Sequence, residues 1–151
     1  MLFRSAGALP VMALLFIPIL LNIDHLYHHW IHPDPADTVL AGKSGWLTKS
    51  GFITRAVVYF VVWIGLATFF RRNSLKQDET GDGALSLRMA RVAAPGLLLF
   101  ALSVTFAAFD WIMSLDPHWF STIFGVCYFA GGYMAFFAFT ILLTKWITGK
   151  G

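Results

Sequence analysis

Four stretches of the sequence carry almost no charge over a length that suits a membrane span. They cover residues 5–23, 51–70, 92–115 and 117–144, and their only charged residues are Arg55 and Asp110. Roughly 20 apolar residues in an α-helix cross a hydrocarbon layer of about 30 Å. None of the stretches shows the period of two that is typical of a membrane β-barrel strand. The pattern predicts an all-α transmembrane protein, a single region that forms a four-helix membrane bundle.

Composition agrees with this prediction. The chain has 151 residues, of which 58% are hydrophobic and only 13% are charged, whereas soluble domains carry about 25% charged residues. We therefore expect membrane lipid to surround most of the chain. The net charge of +3 is small and the basic residues lie in the connections, so no nucleic acid is expected as a partner. A single cysteine, Cys127, can form neither a disulfide framework nor a thiolate metal site on its own.

The basic residues predict how the chain is oriented. Eight of the eleven Lys and Arg residues lie before the first helix, in the connection 71–91 or near the C-terminus. The positive-inside rule then places both ends and this flexible, polar connection in the cytoplasm, and places the connection 24–50 outside. The pair Asp116-Pro117 is typical of a helix start and predicts a tight outer turn before the fourth helix. Because the first stretch lacks a small-residue cleavage site, we interpret it as a retained helix rather than a signal peptide.

Asp110 is the residue that most needs an explanation. A carboxylate inside a membrane helix costs about 2.5–3.5 kcal/mol at the centre of the layer, and less near its edge. Helical spacing places Asp110 on one face with Ser103, Ala107 and Ser114, and such a small, polar face should point into a bundle. Two interpretations stay open: a carboxylate that carries protons or faces quinol, and a structural ion pair. In either case Arg55 is the expected partner of Asp110.

Four of the five histidines lie within nine residues, at positions 25, 28, 29 and 32. Helical spacing would place His25 near His29, and His28 near His32. Metal binding, proton transfer at the outer surface, and contact with another subunit are the three interpretations of this cluster. Haem needs a buried histidine on each of two facing helices, and only His118 lies outside the cluster. We therefore expect no haem. Because Pro33 ends the predicted helix and no Cys or Glu lies near the cluster, we expect no other metal either.

The fourth stretch contains small and aromatic residues that could have two roles. Gly125, Gly131, Gly132 and Ala135 predict close approach of this helix to a neighbour. Tyr128 and Tyr133 could donate hydrogen bonds to a quinone, although aromatic residues in membrane helices more often only pack. The residues that would bind quinone stay undetermined at this level.

Residues 105–125, which read TFAAFDWIMSLDPHWFSTIFG, resemble a signature of alternative complex III, a bacterial quinol:cytochrome c oxidoreductase. The similarity is to its second polysulfide-reductase-like (NrfD-like) membrane subunit, the F subunit or quinone-binding subunit 2. Shorter segments resemble it too, and they begin at His25 (HLYHHW), Lys43 (KS), Arg55 (RA), Arg72 (RNS) and Gln77 (QD). Members of this family are longer and have more helices, so we expect this chain to be an internal part of such a subunit.

The resemblance implies a subunit of the bacterial inner membrane that supports quinol oxidation and proton conduction. Its partners would be an NrfD-like paralogue and subunits that hold iron–sulfur and haem centres, and quinone or quinol is a possible ligand. Under this hypothesis Asp110 relays protons, Arg55 favours its ionised form, and His25, His28, Asp116 and His118 exchange protons at the outer surface. The alternatives are a fragment of a transporter or channel and a structural membrane anchor without a role in turnover.

Overall fold

The computed structural model describes residues 8–149, and these are helical with no strand among them. The predicted start of the first helix at residue 5 and the charges of Arg4 and Lys150 lie outside the described residues. Seven α-helices and one 3₁₀ turn follow each other along the described chain. They are α1 Leu9–Leu21, α2 Ile23–Leu26, α3 His28–Ile31, α4 Thr38–Lys43, α5 Lys49–Thr80, α6 Gly83–Trp111, the 3₁₀ turn Met113–Leu115 and α7 Phe124–Thr148.

Three of these helices are long and apolar enough to cross a membrane: α5, α6 together with its 3₁₀ turn, and α7. The described part of the first predicted span, α1, has 13 residues and a length of about 20 Å. Single-residue breaks at Asn22 and Tyr27 separate it from α2 and α3. The described chain therefore has the helices of a membrane protein, with three membrane-length helices rather than four.

Helices α5 and α6 form an antiparallel pair joined only by Gly81 and Asp82. Gly81 ends α5 with a left-handed φ of 66°, a conformation that glycine adopts without a steric penalty. Asp82 begins α6, because its side chain accepts a hydrogen bond from the Ala84 amide at 2.8 Å. We call this end of the pair the Gly81 end, and the end that holds Arg55 and Asp110 the Asp110 end.

The prediction of a flexible connection over residues 71–91 is wrong. Residues 71–80 continue α5, and residues 83–91 already belong to α6. The sequence RRNSLKQDET contains no Gly or Pro and several good helix formers. Its charges indicate where α5 leaves the apolar layer, but the helix itself ends only where Gly81 permits the change of backbone direction.

The predicted start of the last helix at residue 117 is also wrong, because α7 begins at Phe124 and ends at Thr148. Asp116 does not cap a helix. Its side chain accepts a hydrogen bond from the His118 amide at 3.2 Å, and its carbonyl oxygen accepts one from Trp119. An aspartate that bonds the backbone two residues ahead forms a turn that competes with helix initiation. Residues 116–123 therefore form an extended turn between α6 and α7.

The core lies at the Asp110 end, where α1, α2 and α3 pack against α5 and α6. Phe52 and Ile23 are fully buried there, and Tyr27 and Trp30 cover Phe52 with ring centroids 4.8 and 5.9 Å away. Trp111, the last residue of α6, contacts both α1 and α5. Its ring contacts Phe16, Phe60 and Trp63 at 4.4–5.6 Å, and its carbonyl oxygen accepts a hydrogen bond from the Tyr27 hydroxyl at 2.9 Å.

Helix α7 contacts α6 near its start and leaves most of its surface open. Gly125 is buried, and a Cβ added to it would lie 3.0 Å or less from several atoms of Thr105 on α6. The prediction of close packing is therefore confirmed at this glycine. At Gly131 and Gly132 an added Cβ would meet nothing of the described chain within 4 Å, and Ala135 is exposed as well, so at these three positions close packing stays a prediction.

Candidate functional site

Four hydrogen bonds converge on the carboxylate of Asp110. Arg55 donates two of them, from Nε to Oδ2 at 2.8 Å and from Nη2 to Oδ1 at 3.0 Å. Tyr59 donates from its hydroxyl to Oδ2 at 2.7 Å, and Trp46 donates from its indole nitrogen to Oδ1 at 2.9 Å. Each carboxylate oxygen therefore accepts two hydrogen bonds. We call Asp110, Arg55, Tyr59 and Trp46 the Asp110 centre.

Three segments of the chain supply this centre. Asp110 comes from the end of α6, Arg55 and Tyr59 lie one turn apart on α5, and Trp46 comes from the segment before α5. The guanidinium of Arg55 lies over the Trp46 ring, 4.2 Å from its centroid, which adds a cation–π contact to the ion pair. Ser114 donates its hydroxyl proton to the backbone carbonyl of Asp110.

The centre is sealed from solvent on the carboxylate side. The Asp110 side chain has no exposed surface, and that of Arg55 is 20% exposed. The carboxylate accepts four hydrogen bonds, two of them from one guanidinium, so its contact with Arg55 is bidentate and charge-assisted. The usual number of acceptor positions on a carboxylate is about four, and here each oxygen accepts two bonds. The geometry is that of a bidentate ion pair that joins α5 to α6, with every oxygen of the carboxylate hydrogen-bonded.

The polar face predicted on α6 is confirmed, since Ser103, Ala107, Asp110 and Ser114 are all buried. A second hydrogen bond joins α5 to α6 along this face. Trp63 donates its indole proton to the Ser103 hydroxyl at 2.8 Å, and that hydroxyl donates in turn to the Phe100 carbonyl oxygen at 2.9 Å. The face is therefore used for polar contacts between the two helices at two levels.

A second polar contact fastens α4 to the turn that follows α6. His118 Nε2 lies 2.6 Å from Asp37 Oδ2, and the Lys43 ammonium donates to the carbonyl oxygen of Pro117. Asp37 also begins α4 by accepting bonds from the Val39 and Leu40 amides. The Leu40 amide and, to a lesser extent, His118 lower the pKa of Asp37 below its ordinary value. We call these contacts the α4 clasp.

The remaining predicted histidines lie at the surface of the same end. His25 and His28 are exposed, and His28 is near His32 with ring centroids 5.4 Å apart. Asp24 pairs with Lys49 at 2.7 Å rather than with a histidine, and this hydrogen bond lowers the pKa of Asp24. Among the described residues, no three His, Cys, Asp or Glu side chains are arranged to share a metal ion.

The two tyrosines considered for quinone lie along an apolar groove between α6 and α7. Phe100 and Val104 on one side and Phe129 and the two tyrosines on the other enclose about 270 Å³. Tyr128 and Tyr133 are 50% and 59% exposed. The lining of this groove is almost wholly apolar, and both tyrosines contribute to it.

No model of a known protein family matches this chain, and a search of curated proteins finds no match either.

Sequence reasoning found the ion pair of the centre but missed half of its members. The pairing of Arg55 with Asp110 is confirmed by the hydrogen bonds that join them. Tyr59 was missed, although it lies four residues after Arg55 and therefore on the same face of α5. Trp46 was missed because a tryptophan near a span boundary fits an interfacial belt equally well. No local signal indicates that residues 46 and 110 meet.

Proposed function

We propose that this chain is an integral membrane subunit of a quinol-oxidising respiratory complex, and that its main contribution is structural support. The exposed surface of α7 is the observation that carries the proposal. This helix has 25 residues, and no residue of its most apolar 18-residue window is buried. In water such a surface would be costly, so lipid and further membrane helices are the surroundings it requires.

The arrangement of the resembling segments supports the assignment to alternative complex III. Residues 105–125 form the end of α6, the following turn and the start of α7. Three of the shorter segments contact this region. Tyr27, in the segment that begins at His25, bonds the Trp111 carbonyl. Lys43 bonds the Pro117 carbonyl, and Arg55 bonds Asp110. Three of the five shorter segments therefore meet residues 105–125 at one end of the fold, whereas those that begin at Arg72 and Gln77 lie near the Gly81 end of α5.

Within this proposal, Asp110 has a structural role, which is to hold α5 and the Trp46 segment against α6. Its carboxylate accepts four hydrogen bonds and has no exposed surface, so it is unsuited to exchanging protons with water unless a donor leaves. Proton exchange at this end is assigned to the exposed side chains His25, His28, Asp116 and His118. These four side chains are exposed, whereas that of Asp110 is not.

The complex-forming role is tested by purifying the tagged chain from the membranes of the organism that encodes it. A mild detergent is used, and the co-purifying subunits and quinol:cytochrome c turnover are measured. We expect haem and iron–sulfur subunits to co-purify with the chain. A chain that purifies alone and mediates substrate flux in vesicles would instead be a transporter.

The role of Asp110 is tested in the same preparation with Asp110→Asn, and with Asp78→Asn on the exposed Gly81 end as the matched control. If the role of Asp110 is structural, Asp110→Asn should give less assembled complex but normal turnover per assembled complex. Normal assembly with reduced turnover would instead make Asp110 a proton carrier. His118→Gln, which also removes the contact with Asp37, should lower the turnover rate of the complex that does assemble.

A further inference from the structure

A pocket beside the Asp110 centre has a chemistry that the proposed function does not use. It encloses about 320 Å³ between three segments, a volume at the lower end of the usual range for ligand sites. Its walls are mostly apolar and aromatic, and they include Lys43, Trp46, Phe109, Met113, Trp119 and Phe120. The α4 clasp closes one side, because Lys43 bonds the Pro117 carbonyl across the pocket rim.

Lys43 is the only charged side chain in the pocket lining. Its ammonium group has three donor hydrogens, one of which goes to Pro117, and it also lies 5.6 Å from the centroid of the Phe120 ring. No carboxylate among the described residues lies within ion-pair distance of Lys43. Lys49, on the same side of the molecule, is by contrast paired with Asp24. Lys43 therefore retains a positive charge that an anion can neutralise.

The pocket lies where a membrane headgroup would meet an acyl chain. Its wall residue Trp46 bonds Asp110, which ends the uncharged part of α6. Trp119 and Phe120 at the rim are 50% and 70% exposed, as aromatic residues at a membrane interface commonly are. A lysine close to a membrane surface attracts an anionic lipid headgroup by about 1 kcal/mol.

We propose that this pocket binds one anionic phospholipid, with its phosphate on Lys43 and part of an acyl chain between Phe109, Met113 and Phe120. Charge complementarity selects this occupant, because a zwitterionic lipid would place a second cation near Lys43. The proposal requires only that the chain is inserted in a membrane, and it is independent of the respiratory role.

The test uses the full chain in nanodiscs of mixed phosphatidylglycerol and phosphatidylcholine, with the lipid that remains bound after extraction measured by native mass spectrometry. We expect phosphatidylglycerol to be retained about five-fold over phosphatidylcholine, which is the effect of one lysine on an anionic headgroup. Equal retention of the two lipids by the wild-type chain would overturn the proposal without any variant.

Variants then locate the site. Lys43→Gln should abolish the preference, whereas Lys43→Arg and the matched control Lys49→Gln should keep it; a Lys43→Gln chain that keeps the preference overturns the proposal. Met113→Trp, which fills the pocket and leaves the charge, should lower retention of phosphatidylglycerol. Unchanged retention in this variant would show that the acyl chain lies elsewhere. Circular dichroism checks that each variant keeps its helix content. If Lys43→Gln does not fold, the proposal is judged from the wild-type chain and from Lys43→Arg, which should both prefer phosphatidylglycerol.

Discussion

The Asp110 end of the α5–α6 pair and helix α7 have similar apolar sequences but opposite surroundings. At the Asp110 end, aromatic rings pack beside an ion pair whose carboxylate accepts four hydrogen bonds. Along α7, large side chains such as Met134 and Leu142 are 73% and 67% exposed. Hydropathy alone does not distinguish the two regions. The difference is that the α5–α6 pair has buried polar contacts between its helices in addition to its apolar core, whereas α7 has neither along most of its length.

The largest expected effect comes from Asp110→Leu. The substitution removes the acceptor of four hydrogen bonds and leaves the Arg55 guanidinium without its partner, so the free energy of unfolding should fall by about 3–5 kcal/mol. Reversible unfolding in mixed micelles, followed by circular dichroism, measures it. The matched change Leu142→Ala on α7 should alter stability by less than about 0.5 kcal/mol. Equal effects of the two substitutions would remove the contrast between the regions.

A smaller loss is expected from Tyr59→Phe, which deletes a single donor to the buried carboxylate. Hydrogen bonds to charged groups contribute about 1.5–3 kcal/mol, and the unfolding free energy should fall by that amount in the same assay. Tyr133→Phe on α7 removes a hydroxyl from a half-exposed ring and should change nothing. If Tyr59→Phe were also neutral, the centre would hold Asp110 without this bond.

Glycine substitutions on α7 sharpen the comparison within one helix. Gly125→Ala would force a Cβ against Thr105 and should cost about 1–3 kcal/mol, the usual penalty for overpacking. Gly131→Ala meets open space, and it should be neutral or stabilise the helix by about 0.5–1 kcal/mol. Thermal unfolding of both variants distinguishes them. A stable Gly125→Ala chain would mean that α7 does not approach α6 at this point.

The smallest effect concerns the α4 clasp and depends on pH. The pKa of Asp37 in the folded chain lies below its ordinary value of 3.8, so its ionised cap stabilises α4 above that pH. This contribution is lost as the pH falls through the lowered pKa. Hydrogen-exchange protection of the Val39 and Leu40 amides should therefore decrease as the pH is lowered below 3.8. Asp37→Asn, which still caps the helix, should show no such decrease; a decrease of equal size would assign it to another group.

The sequence was sufficient for the helical class, the three membrane-length helices and the pairing of Arg55 with Asp110. These follow from runs of apolar residues and from the cost of an unpaired charge in lipid, which are local properties. Helix ends were less predictable. At residue 71 a change from apolar to charged residues did not end α5, since helix propensity continued to Thr80, and at residue 116 a turn-forming aspartate was mistaken for a cap.

The rest of the Asp110 centre and the α4 clasp depend on contacts across long sequence separations. Trp46 reaches Asp110 across 64 residues, and His118 reaches Asp37 across 81. Such pairs form because the antiparallel packing of α5 and α6 brings the residues before α5 next to the residues at and after the end of α6. Their indole and imidazole groups would fit many surface positions equally well, so no pattern in the sequence identifies the partner.

Site-directed labelling tests the central claim that α5 and α6 cross a membrane with the Asp110 centre at one face. Cys127→Ser removes the native thiol, and Glu79→Cys or Thr122→Cys then places a thiol at the Gly81 end or in the turn after α6. We predict that a membrane-impermeant maleimide labels Thr122→Cys in intact cells and labels Glu79→Cys only after the membrane is opened. Labelling of both variants from the same side of the intact membrane would contradict the account.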